Sequence, residues 1–131
     1  MKFKVDVINV SFNRPKFDKL DQVIKALNEN EDKSQLKYYK YDSLKLDYIN
    51  TLQARQLKLE IMPLWICRCS NLKHLNLGEN QIKDIDSTLL PPGLTYLDLS
   101  WNQIASPLNL SHLKRLRYLD AYNNNISQIN I

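Results

Sequence analysis

The sequence predicts an α/β solenoid, a short stack of parallel strands behind an N-terminal strand-helix-strand cap. Two observations carry the stack. Asn80, Asn102 and Asn124 recur at a constant step of 22 residues. Each stands in the same hydrophobic frame: Leu72, Leu75, Leu77 and Ile82 around the first, Leu94, Leu97, Leu99 and Ile104 around the second, Leu116, Leu119, Ala121 and Ile126 around the third. A period in this range marks units that stack on one another and present a surface instead of enclosing a site. The cap follows from a third observation, the lack of any such frame before residue 49.

Within the cap, residues 1–48, Phe3, Val5 and Val7 and then Ile8, Val10 and Phe12 alternate in two phases, as in a strand with a bulge or an end near Ile8. Asn13, Arg14 and Pro15 form a helix start signal, and Phe17, Leu20, Ile24 and Leu27 share one face of the helix that follows. Residues 29–35 are a break, and residues 36–41, with Tyr38, Tyr39 and Tyr41, read as a second strand. An open solenoid end would expose apolar core, so this unit is expected to pair its edge with the first repeat strand. The rival reading is a separate recognition module, although nothing in the segment selects a ligand.

Residues 49–131 hold about 3.5 repeats, beginning at 49, 72, 94 and 116. In each strand the two core positions, such as Leu75 and Leu77, point inward and the residues beside them face outward. The first repeat keeps the frame through Ile49, Leu52, Ala54, Leu57, Leu59 and Met62, then Ile66, Cys69 and Leu72. An alternative register, with residues 57–59 as the strand, spaces the copies too closely. Return segments differ: Pro91, Pro92 and Gly93 argue for an extended or turn return in the second, while Leu110, Leu113 and Leu116 predict a short helical or 3₁₀ turn in the third.

These frames resemble the leucine-rich repeat in its typical 22–23-residue intracellular form. The resemblance implies a segment of right-handed horseshoe, a ladder of buried Asn side chains, and a module that mediates protein–protein contacts. Asn80, Asn102 and Asn124 are the expected rungs, each satisfying backbone groups of its own turn and the next. Leu57 departs from the pattern, standing where the family has Asn, which suits a first repeat with nothing upstream to bond.

The charge of +4 is spread along 131 residues without a basic run, so nucleic acid is not an expected partner; an RNA adaptor is the weakest reading. No segment is apolar enough for a signal peptide or a membrane span, and the expected setting is cytoplasmic or otherwise intracellular. Cys67 and Cys69 are too close to bridge each other. Cys69 takes a core position as a small hydrophobe, with Cys67 a possible second. His74 and His112 fall on opposite faces, so no metal or cofactor is expected. With two glycines and no nucleophile beside a base, no catalytic constellation forms and an enzyme is not expected.

The outward columns of the strands define the candidate site: Thr51, His74, Tyr96 and Tyr118; Gln53, Asn76, Asp98 and Asp120; Arg55, Gly78, Ser100 and Tyr122; Gln56, Glu79, Trp101 and Asn123. Partner binding is assigned to His74, Tyr96, Asp98, Trp101, Arg117, Tyr118, Asp120 and Tyr122, because Trp, Tyr and Arg dominate interface energetics. Stacking of Tyr96 on Tyr118 within the sheet would account for those rings without a partner. Trp65 is expected to pack away from this face, and His112, Lys114 and Arg115 to form a solvated one. At 128–131 another return begins with no closing segment. A fragment of a longer chain, a tolerated short end, or a partner or second copy packed there each fits. The expected function is thus a non-catalytic protein-interaction module, and the alternative is an architectural subunit of a larger assembly, viral or ribonucleoprotein, docked through its cap and open end.

Overall fold

The computed structural model describes residues 7–9 and 49–131. Strands β1 (Val7–Asn9), β2 (Thr51–Gln53), β3 (His74–Asn76), β4 (Tyr96–Asp98) and β6 (Tyr118–Asp120) form one parallel sheet in the order β1-β2-β3-β4-β6. Thr51 pairs with His74, His74 with Tyr96 and Tyr96 with Tyr118, so the four outward columns are in the expected register. β1 pairs in parallel with β2, Ile8 opposite Leu52. The expected helix over 17–27 and strand over 36–41 lie outside the described residues, as does the Trp65 side chain.

Ile49, Leu52, Ala54, Leu72, Leu75, Leu77, Leu94, Leu97 and Leu99 are fully buried and line one continuous core. Burying such a side chain contributes about 1.5–3 kcal/mol, and in a stack each unit supplies the wall for the next. The sixth repeat position is Ala54, Leu77, Leu99 and Ala121 in turn, and core residues of the last repeat, Leu116, Leu119 and Ile126, are only half-buried. Their sheet neighbour lies on one side only.

Return segments are short because Pro and polar residues interrupt them. A 3₁₀ turn spans Leu64–Arg68, with Cys69 N–H closing onto the Ile66 carbonyl at 3.0 Å. A second, Ser87–Leu89, is capped by Asp86, whose side chain accepts from Thr88 N–H at 3.1 Å. The third return takes the turn form of the expected short helical or 3₁₀ segment: Leu113 N–H bonds the Leu110 carbonyl and Leu116 N–H the Leu113 carbonyl, two successive three-residue turns. Just before them, β5 (Leu108–Asn109) is drawn into a parallel pair with β7 (Ile129–Asn130). Cross-repeat pairing satisfies backbone groups that a local helix would otherwise have bonded. Contrary to expectation, His112 is not solvated: half-buried, its Nε2 lies 3.1 Å from the Leu90 carbonyl of the preceding return. Lys114 and Arg115 are exposed.

Cys69 is fully buried and its thiol is pushed up to about 12, first by burial. Cys67 is exposed, not the second core thiol anticipated. Among the described residues no helix is long and apolar enough to cross a membrane, and no group of three or more His, Cys, Asp and Glu is placed to hold a metal ion.

Candidate functional site

Two hydrogen-bonded ladders fasten the open face of the sheet to the turns that follow it. The first is the Asn series. Asn102 Oδ1 accepts from Ile82 N–H at 3.0 Å, while its Nδ2 donates to the carbonyls of Leu77 and Leu99, both at 3.0 Å. Asn80 reaches Leu57 N–H, Leu59 N–H and the Ala54 carbonyl, and Asn124 reaches Ile104 N–H and the Leu99 carbonyl. Each rung therefore bonds its own turn and the preceding one, not the next. The amide leaves the strand behind its own repeat, so its free donors and acceptor face the backbone already stacked beneath.

The second ladder was not legible as such. Asn76 Oδ1 accepts from Gly78 N–H, Asp98 Oδ1 from Ser100 N–H and Asp120 Oδ1 from Tyr122 N–H, each at 2.9 Å. These are Asx turns, in which a short carboxylate or amide caps the N–H two residues on. An Asx residue at one register in three successive repeats was the available signal. It changes the status of Asp98, which is buried, receives the Ser100 hydroxyl at 2.6 Å, and takes Arg55 Nη1 on its other oxygen at 3.2 Å.

Arg55 crosses the face to do this. Its Nη2 holds Glu79 Oε1 at 2.5 Å, and Glu79 also accepts from Gln56 Nε2. The hydrogen bond from Gln56, then that from Arg55, lowers the Glu79 pKa. The route runs over Gly78, where an added Cβ would lie 3.1 Å from Asn76 Oδ1, 3.2 Å from Asp98 Oδ1 and 3.3 Å from Arg55 Nη1. A Cβ there would make these neighbours, the flexible Arg55 tip among them, give by a few tenths of an ångström.

The aromatic column is a stack. His74 and Tyr96 lie parallel with centroids 3.9 Å apart, and Tyr96 and Tyr118 follow at 4.3 Å. Burial lowers the His74 pKa below 6.5, opposed by the Asp98 charge, and Gln53 Nε2 sits 3.1 Å from its Nε2. His74 and Tyr96 are half-buried within this stack, whereas Tyr118 is 44% exposed. Trp101 and Tyr122, 52% and 71% exposed, meet edge to face at 5.9 Å.

The residue preceding each Asn rung, Glu79, Trp101 or Asn123, has a positive φ of 54°, 56° or 58°, as does Gln56. Asn tolerates this left-handed conformation, but a Trp there carries about 1–2 kcal/mol of strain. Stacking holds the backbone in place and aims the indole outward.

Tyr118, Asp120, Tyr122 and Trp101 therefore converge on the C-terminal half of the face. His74 and Tyr96 support them from below, and Asp98 is committed to Arg55. Arg117 is exposed, its N–H bonds the Thr95 carbonyl at 2.9 Å, and among the described residues it forms no ion pair with either aspartate. Arg55 and Ser100 join the arrangement although sequence reading assigned them no role.

Residues 55–104 match the family model described as leucine rich repeat. No curated protein and no solved structure matches the chain.

Proposed function

We propose that this leucine-rich repeat protein is a non-catalytic recognition module that binds another protein on the concave side of its repeat sheet, through Trp101, Tyr118, Asp120 and Tyr122. The observation that carries the reading is the exposure of three large aromatic side chains around one carboxylate on hydrogen-bonded, stacked repeats. Rigid aromatic groups lose little entropy on binding and supply most of the energy at protein interfaces. Trp101 adds a second support, since a bulky residue stands at positive φ at a local cost.

The test is the double variant Trp101→Ala, Tyr118→Ala, compared with the unaltered chain for binding to a protein that co-purifies with it. A loss of about tenfold or more in affinity, with an unchanged far-ultraviolet circular dichroism spectrum, is expected. Unchanged affinity would favour the architectural subunit, docked through surfaces other than this face.

A further inference from the structure

The contact that Arg55 makes with Asp98 is an internal template for what the next repeat binds. Asp98 gives Oδ1 to the Ser100 N–H and Oδ2 to the Arg55 guanidinium, which lies over Gly78 with Glu79 on its other side. One repeat onward the strand register puts Asp120 in the place of Asp98, Ser100 in the place of Gly78 and Trp101 in the place of Glu79. Gly78 takes the place of Arg55, so the guanidinium has no counterpart.

The carboxylate itself is set up in the same way. Asp120 Oδ1 accepts from Tyr122 N–H at 2.9 Å, while among the described residues Oδ2 has only the Tyr118 hydroxyl at 3.5 Å, beyond the usual range for such a bond. Among the described residues no cation pairs with Asp120.

The geometry points to an arginine side chain of a protein partner as the occupant, its guanidinium over Ser100 between Asp120 Oδ2 and the Trp101 indole. This rests on the recognition reading above and names the group recognised. Replacing Glu79 by Trp101 exchanges an ion pair for a cation–π contact, which a planar, weakly hydrated guanidinium makes better than an ammonium. The unpaired carboxylate repels phosphate, which argues for a protein and against a nucleic acid at this position.

The experiment is a titration of the ¹⁵N-labelled full chain, at low ionic strength, with acetyl-arginine-methylamide, its lysine counterpart and tetramethylammonium. Saturable shifts are expected at the Trp101 indole N–H and the Ser100 and Asp120 amides, about threefold tighter for arginine than for lysine. Asp120→Asn, which keeps an acceptor for Tyr122 N–H, should weaken arginine about fivefold or more, and Asp84→Asn, an exposed carboxylate elsewhere, should not. Shifts confined to other residues, equal affinity for lysine, tighter binding of tetramethylammonium, or an Asp120→Asn variant that binds like the unaltered chain would each overturn the assignment. If Trp101→Ala, Tyr118→Ala loses its protein partner while arginine elicits no response, the arginine assignment alone fails. If that variant keeps its partner while arginine still titrates Asp120 in the unaltered chain, the recognition reading fails instead.

Discussion

The two halves of the sheet face are built on one frame and end in opposite states. In the N-terminal half, Arg55, Glu79 and Asp98 satisfy one another over Gly78, and His74 and Tyr96 cover each other as stacked rings. One repeat on, the matching positions hold Gly78, Trp101 and Asp120, and Trp101 is exposed and Asp120 half-buried. A repeat equalises backbone geometry, so the difference between the halves lies in side-chain length and charge and in the lower burial of the last repeat. Whether a repeat position is structural or available depends on whether a long side chain two repeats away reaches it.

The largest effect separates the halves at their rungs. Asn102→Ala removes an acceptor for Ile82 N–H and donors for two carbonyls in a buried setting, and should cost about 3 kcal/mol by urea unfolding. Asn124→Ala, where the same bonds are partly open to water, should cost about 1 kcal/mol. Equal costs would mean that the two halves do not differ in burial as described.

Arg55→Ala comes next. It strips the buried Asp98 of its cation, but Arg55 is 37% exposed and water replaces part of what is lost, so about 1–2 kcal/mol is expected. The change should be felt in unfolding and leave binding at Trp101 intact. Gly78→Ala is subtler: its Cβ presses on the Asn76 and Asp98 oxygens and on the flexible Arg55 tip, for a cost of about 1 kcal/mol by thermal unfolding. Ser100→Ala one repeat on displaces no guanidinium and costs about 1 kcal/mol for a different reason, the loss of its hydroxyl bond to the buried Asp98.

The smallest effect is on pH. Burial lowers the His74 pKa, so below the unfolded-chain value of about 6.5 the unfolded state takes a proton that the folded state resists. Stability contributed by neutral His74 is full above that value and is lost as pH falls from it to the lower folded value. His74→Phe, which keeps a ring on Tyr96, should flatten that component of the urea midpoint measured between neutral and mildly acidic pH.

Legibility in the sequence followed the range of the interaction. Leu75, Leu97 and Leu119 gave the strand register because alternation is a local property and the period repeats it. Val7–Asn9 beside Thr51–Gln53 shows chain from before the repeats pairing with the first repeat strand, as an exposed edge requires. Leu110, Leu113 and Leu116 foretold the short turns of the third return, but no local spacing announced that Leu108–Asn109 pairs with Ile129–Asn130 one repeat on. Asp98 misled for a similar reason: its position in the strand marks it as outward, and nothing within its own repeat announces Arg55, 43 residues earlier.

By itself the sequence determined the stacked parallel strands, the core and the Asn rungs, because those depend on identities repeated every 22 residues and on the pleat. Only the tertiary structure decided which face residues remain available. Among the described residues, stacking brings Arg55 over Gly78 to Asp98 and no arginine over Ser100 to Asp120, and such a reach across repeats depends on the space left by each side chain in between.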